Sequence, residues 1–320
     1  MRPILSNLVS PLQAAFVPGR KGVNNAIIVQ ELIHTMSQKK GKEGFMAIKI
    51  DLEKTYDRLE WKFIKDTLSL FKFPTNLNAL IMSCVTSSSM LDIYNGGALD
   101  PFHPSRGIRQ GDPLSPYLFI LCMEILGAFI SEKCDAKLWD VVKASQGGIA
   151  FSHLFFAYDL VLFAKANQKN CLVVQDALES FCNLFGQKIS NENSRVFFSP
   201  NVSLLERERF CDFLGFRSTP YLGKYLGFPI KHTSIPHDFS FVLERVQNRI
   251  AGWKAHLLSF VGRLVLTQPM TSTILNYVMQ CSALPPKILS NIDWLSRNFL
   301  WGHSNKKKKL HLVSWKKITN

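Results

Sequence analysis

The sequence has no closely spaced cysteine pair. Its seven cysteines, Cys84, Cys122, Cys134, Cys171, Cys182, Cys211 and Cys281, are scattered and odd in number, which excludes a zinc knuckle and a disulfide framework. This usage fits a reducing, intracellular compartment, nuclear or cytoplasmic. The opening MRPILSNLVSPLQAAF lacks the charged-then-apolar layout of a secretory signal. No uncharged apolar run reaches membrane length, because LSPYLFILCMEILGAFI after Pro113 is short and contains Glu124, so it reads as a buried helix and no membrane partner is expected. No internal repeat of fixed period occurs, which argues against a solenoid. Acidic residues are the scarce charge: 24 Asp and Glu against 38 Lys and Arg leave a formal charge of +14. Such an excess fits a polyanionic partner, nucleic acid or anionic membrane, and also a soluble protein with a basic tail.

What is present suffices for a sizeable core. With 320 residues and 47% apolar composition, two or three subdomains can each bury their own interior. The stretch GGIAFSHLFFAYDLVLFAKA, residues 147–166, organises the rest. Phe151, Leu154, Phe155 and Phe156 lead in and Leu160 to Phe163 lead out, which predicts a hairpin with Asp159 at its tip. Asp is also simply a good turn former.

Along the chain, AAFVPGRKG presents Arg20 and Lys21 on a loop that either covers phosphates or is solvated. Residues 24–38 have helical spacing, with Asn24 or Asn25 as a cap. In GKEGFMAIKIDLEKTYDRLEW a strand over 45–50 delivers Asp51 at its end, and a helical turn folds Tyr56 back beside it; Glu53, Asp57 and Glu60 alternatively pair with Lys54, Arg58 and Lys62 along a helix. A helix, a strand and a Gly turn follow over 73–97. PSRGIRQGDPLSPYLF sets Arg106, Arg109 and Gln110 on a basic loop, with Pro113 opening an apolar helix whose N-terminus favours an anion. Residues 168–184 read as an amphipathic helix before a strand ending near Phe198, with Lys188 and Arg195 as phosphate contacts or plain surface cations. TPYLGKYLGFPI gives short Gly-broken strands. Residues 238–284 are helical with interruptions at Gly252, Gly262 and Pro269, and carry Arg245, Arg249, Lys254, His256 and Arg263. The end holds the Lys306–Lys309 run, a solvated segment.

The blocks AAFVPGRKGVNNAI, AIKIDLEKTYDRLEW, SRGIRQGDPLSPYLFILCMEILG, FFAYDLVLFA, YLGKYLGFPI, WKAHLLSFVGRLVLTQ and FLWG, in this order, resemble the reverse transcriptase domain of plant non-LTR, LINE-type retrotransposons. The resemblance implies an α+β right-hand polymerase. Residues 1–234 would form partial fingers and an antiparallel-sheet palm, 235–285 a helical thumb, and 286–320 a basic connection segment. It implies Asp51 and Asp159 as catalytic Mg2+ ligands and Tyr56 as an aromatic gate against the incoming sugar. Arg106, Arg109, Gln110 and Gly111 would be nucleotide and template contacts. RNA template, DNA primer and deoxynucleotide triphosphates are the implied partners.

The chain departs from the family at a position that matters. Two adjacent carboxylates are expected at the hairpin tip, and Tyr158 stands where the first belongs. A neutral phenol is a poor ligand for two Mg2+ ions roughly 3.5 to 4 Å apart, so nucleotide addition is expected to be impaired. Asn24 stands for the family's usual Asp, and Asn193 for its usual Lys. The family's flanking endonuclease and ribonuclease H modules are not among these blocks, and the expectation drawn from the resemblance is a truncated, degenerate copy. Beside the impaired polymerase stand a non-catalytic nucleic-acid-binding or scaffold module and a remnant without retained function.

Overall fold

A computed structural model of the chain describes residues 1–145, 147–230, 239–251 and 258–302. In chain order the elements are α1 (Leu5–Leu8), α2 (Gly22–Ser37), β1 (Phe45–Ile50), α3 (Trp61–Leu70), α4 (Thr75–Thr86), β2 (Ile93–Tyr94), β3 (Gly97–Ala98) and α5 (Ser115–Asp135). There follow β4 (Val142–Lys143), β5 (Ala150–Phe151), β6 (His153–Phe156), β7 (Asp159–Lys165), α6 (Gln168–Phe185), β8 (Arg195–Phe198), α7 (Leu204–Leu214), β9 (Arg217–Ser218), β10 (Lys224–Tyr225) and β11 (Phe228–Pro229). The last three are α8 (Ser240–Ile250), α9 (Phe260–Met279) and α10 (Pro286–Trp301). The chain is a mixed α+β protein of two compact units, Met1–His232 and Thr233–Asn320.

The first unit is built on a five-stranded sheet ordered β6-β7-β1-β8-β9. Alternation in FMAIKI sends Met46, Ile48 and Ile50 to one face, where they join Leu160, Leu162, Val196 and Phe198 in a core completed by α3, α5 and α6. Ile48 is fully buried there; truncating such a residue to Ala costs about 2–5 kcal/mol. The opposite face carries Ala47 and Lys49, and α2 packs over part of it, with Gln30 Nε2 donating to the Pro229 carbonyl at 3.2 Å. α6 is fixed at both ends by local chemistry. Asn167 caps its N-terminus by accepting from the Asn170 amide at 2.8 Å, and Gly186 ends it with φ +69.

Several expectations need correction. The sheet is not wholly antiparallel, because β9 runs parallel to β8 at its edge. α2 begins at Gly22 without a side-chain cap, and Asn25 lies inside it, buried, donating to the Phe155 carbonyl at 2.9 Å. Residues 51–60 are turns rather than helix, and Glu53 and Glu60 pair with Lys188 and Arg106 instead of with helical neighbours. Two glycines account for this. Gly186 and Gly107, both at positive φ, press so close to the turn that a Cβ on either would sit 2.9 Å or less from Asp57, Arg58 or Glu60 atoms. α5 opens at Ser115, two residues after Pro113, with the Asp112 carboxylate accepting from the Leu114 amide at 2.8 Å.

In the second unit α8, α9 and α10 bury Phe239, Val242, Val278, Leu284, Ile288 and Ile292 against one another. Pro269 lies inside α9 and does not end it, and Gly262 sits in its first turn. Gly252, Lys254, His256 and the Lys306–Lys309 run lie outside the described residues.

Candidate functional site

β1 pairs with β7 in a register that ends at Ile50 opposite Leu160, and one residue further the same register sets Asp51 opposite Asp159. Directly opposed residues of an antiparallel pair share a face, with Cα atoms about 4.5–5.5 Å apart. On the other side of β1 the ladder with β8 ends at Lys49 opposite Arg195, and the turn before β8 brings Asn193 and Ser194 to Asp51. Asn193 Nδ2 donates to Asp51 Oδ2 at 3.1 Å, and the Asp51 amide donates to Ser194 Oγ at 3.1 Å. Burial pushes the Asp159 carboxyl above the usual carboxylate range; Lys49 opposes the rise and Asp51 adds to it. The contribution of Asp51 to Asp159 is what a nearby carboxylate produces.

Asp159 is not at the hairpin tip. Phe156 pairs with Asp159, so the turn itself is Ala157-Tyr158, and Asp159 is the first residue of β7. Tyr158 projects from the turn with 51% exposure. It lines an open cleft of about 460 Å³ together with Thr55, Tyr56, Gln110, Gly111, Asp112 and Pro113. Tyr56 is set by a stack on Phe119 of α5, with ring centroids 5.1 Å apart and planes within 10°. Its phenol is pushed upward, first by burial and then by Tyr158, which lines the same cleft. The loop bearing Gln110 and Gly111 reaches this place because it is laced to the turn before α3. The Gly107 amide donates to Leu59 O at 2.8 Å, the Ile108 amide to Tyr56 O at 2.9 Å, and Trp61 Nε1 to Gly107 O at 2.7 Å.

The cations divide between roles. Arg109 pairs with Asp112 at 3.0 Å and Arg106 with Glu60 at 3.6 Å; neither lines the Tyr158 cleft, whereas Gln110 and Gly111 do. Arg20 is no phosphate cover. Its guanidinium donates to the carbonyls of Ser10, Gln13 (2.7 Å) and Val9 (2.8 Å), tying down the N-terminal segment. Lys188 pairs with Glu53 at 3.1 Å, and Arg195 donates to the carbonyls of Glu192 and Ser194. Lys49 and Gln13 were not singled out in the sequence, and Asn193 was singled out there only as a departure from the family's usual Lys. Lys49 had a signal, since it lies two residues before Asp51 on an alternating strand. The Asn193 contact to Asp51 and the Gln13 contact to Ala157 span 142 and 144 residues and leave no local trace.

Two facing carboxylates are oxygen donors of the kind a hard divalent cation accepts. Among the described residues no group of three or more His, Cys, Asp and Glu side chains comes together as a metal site. Among the described residues, too, no helix is long and apolar enough to cross a membrane.

Comparison with known proteins bears on this geometry. The chain is 24% identical over 312 residues to the Transposon TX1 uncharacterized 149 kDa protein of Xenopus laevis, a match covering 94% of this chain and 23% of that protein. It is 29% identical over 180 residues to the Retrovirus-related Pol polyprotein from type-2 retrotransposable element R2DM of Drosophila melanogaster, covering 56% of this chain and 16% of that one. The chain therefore spans less than a quarter of the length of either relative. Apo telomerase from Candida tropicalis aligns at 14% identity and a TM-score of 0.47, over 88% of this chain and 44% of that one. The family described as Reverse transcriptase (RNA-dependent DNA polymerase) matches residues 1–230, which hold the sheet, the facing carboxylates and the Tyr158 cleft, and the chain belongs to that family.

Proposed function

We infer that this is a reverse transcriptase domain, related to RNA-directed DNA polymerases that extend a DNA primer on an RNA template, in which Tyr158 impairs nucleotide addition. The observation that carries the reading is local. Asp51 and Asp159 face each other at adjacent strand ends, and the residue immediately before Asp159 is a tyrosine in a two-residue turn. Asp51 and Asp159 fit one Mg2+, which takes one or two carboxylates and completes its shell with water and phosphate oxygens. They do not fit two, because a second ion needs further carboxylate oxygen and position 158 offers a phenol in its place. Bound Mg2+ would supply charge neutralisation for a triphosphate and a more acidic primer hydroxyl.

The remaining residues have roles that need no ion. Tyr56, held flat on Phe119, walls the cleft where an incoming sugar would rest, and Gln110 and Gly111 offer the opposite wall to a nucleotide. Arg109 and Arg106 stand on the same loop as template contacts. Asn193 orients the Asp51 carboxylate but brings no positive charge. Loss of one preorganised electrostatic group costs about 10²–10³ in rate, which is the scale of impairment expected here. The seven sequence blocks support a plant LINE-type lineage.

A second reading, a nucleic-acid-binding or scaffold module without polymerisation, is favoured by the +14 charge. Binding and single-nucleotide addition on an RNA template with a DNA primer, measured with the chain and with Asp51→Ala, separate the two. The polymerase reading expects binding by both proteins, slow Mg2+-dependent addition by the first and none by the second. Binding without any addition selects the scaffold reading, and addition unaffected by Asp51→Ala rejects the assigned ion site.

A further inference from the structure

The turn that carries Tyr158 is held in place from far away in the chain. Ala157, its first residue, has φ +53, a left-handed conformation that a residue with a Cβ adopts only where its surroundings impose it. A glycine would adopt it freely, and two-residue hairpins with a left-handed first position favour glycine for that reason. Here the imposition comes from Gln13. Its side-chain Oε1 accepts from the Ala157 amide at 3.1 Å and from the Ala15 amide at 3.0 Å.

The segment that carries Gln13 is fixed by three contacts. Gln13 forms a parallel bridge with Phe155, whose amide donates to Leu12 O at 2.8 Å while the Ala14 amide donates to Phe155 O at 3.1 Å. The Gln13 backbone carbonyl accepts from Arg20 Nη1 at 2.7 Å. Upstream, the Ser10 amide donates to Glu124 Oε1 on α5 at 2.9 Å. Gln13 is 1% exposed, and among the described residues its Nε2 has no hydrogen-bond partner. A buried donor left unpaired is costly, so this side chain is not the choice that stability alone would make. The half of the amide that is used is the carbonyl.

We propose that Gln13 is a positioning residue of the candidate site: its side-chain carbonyl clamps the Ala157 amide and fixes the turn that carries Tyr158 and leads into Asp159, so that Asp159 meets Asp51. The functional consequence rests on the ion-site reading given above, whereas the clamp itself does not. Gln13→Met keeps length and volume but removes the acceptor. Gln13→Glu keeps the acceptor and removes the orphan donor.

The test is amide hydrogen exchange at Ala157, with Ile48 and Phe163 as internal references, and Mn2+ affinity by electron paramagnetic resonance, both on the full chain. Gln13→Met is expected to speed Ala157 exchange about tenfold with the references unchanged, and to weaken Mn2+ binding about fivefold or more, while Gln13→Glu stays within about twofold of the parent in both. Unchanged Ala157 exchange in Gln13→Met overturns the clamp. Faster exchange with unchanged Mn2+ affinity overturns the positioning role. If Gln13→Met does not fold, Gln13→Glu decides, since loss of Ala157 protection in that variant overturns the proposal and retention supports it. A parent chain that binds no Mn2+ removes the ion-site reading and Gln13's role in it, whatever the exchange data say of the clamp.

Discussion

Asp51 and Asp159 stand opposite each other across the β1–β7 ladder, one residue beyond the Ile50–Leu160 pair, although 108 residues separate them in the chain. Burial and the facing Asp51 raise the Asp159 carboxyl, and Lys49 lowers it. A raised carboxyl takes its proton back at a higher pH than an ordinary one. Mn2+ affinity is therefore expected to fall with decreasing pH while still above the ordinary Asp value of about 3.9. Lys49→Met should move the loss to higher pH still. A loss confined to the ordinary range, or a downward shift in Lys49→Met, would contradict the assignment.

Arg20 should matter to stability rather than to nucleic acid. Its guanidinium satisfies the carbonyls of Val9, Ser10 and Gln13, a pattern that one ammonium cannot reproduce. Arg20→Met is expected to cost about 2–4 kcal/mol in urea unfolding, with Arg20→Lys recovering less than half. A change under about 0.5 kcal/mol would mark Arg20 as an ordinary surface residue.

His153 makes acid stability testable. It is 1% exposed, its Nδ1 lies 2.9 Å from Ser152 Oγ, and burial lowers it to about 4. Glu124 of α5 approaches the same glycine, Gly127, as the His153 ring. Because the folded value lies below the unfolded one near 6.5, the unfolded chain takes up the proton first, and stability present above pH about 6.5 is lost as pH falls towards 4. At about 1.36 kcal/mol per pH unit the loss approaches about 3 kcal/mol. His153→Gln, neutral throughout, should flatten the curve between those values. An equally steep curve in that variant would assign the loss elsewhere.

If the positive charge serves nucleic acid, primer-template affinity should fall steeply with salt, by about 10³–10⁵ between about 50 and about 200 mM if six to ten phosphates are met. The Lys306–Lys309 run can bind phosphates without any cleft. A chain ending before Lys306 should keep most of the slope. A slope that vanishes with those lysines would place the binding in the tail.

The regular parts of this fold were legible because their period is local. FMAIKI alternates, and β1 spans the residues that alternation predicts; residues 168–184 repeat at helical spacing, and α6 spans Gln168–Phe185. The hairpin around residue 158 was legible too, but its turn was not. A two-residue turn moves the tip one position back, from Asp159 to Tyr158. The non-helical stretch 51–60 follows from Gly107 and Gly186 pressing on it, which the local helix pattern cannot reveal. Asn25 reads as a cap and Asn193 as a departure from the family's Lys, Gln13 carries no sequence signal, and each makes its informative contact with a residue more than 100 positions away. Strand ends could be read from the chain, whereas what is brought beside them could not.

The phenol at position 158 sets the activity of this site, and a matched set of folded proteins tests that most directly. Mg2+-dependent nucleotide addition on an RNA template with a DNA primer is measured for the parent chain, Tyr158→Asp and Tyr158→Ala. Tyr158→Asp supplies an anionic oxygen beside Asp159 and removes the ring, whereas Tyr158→Ala only removes the ring. If ligation limits the reaction, addition rises about 10²–10³-fold in Tyr158→Asp and stays near the parent level in Tyr158→Ala. Equal rescue by both variants would make the ring an obstruction and not a missing ligand. Robust addition by the parent chain, abolished by Asp51→Ala and unimproved by Tyr158→Asp, would contradict the claim that Tyr158 impairs this site.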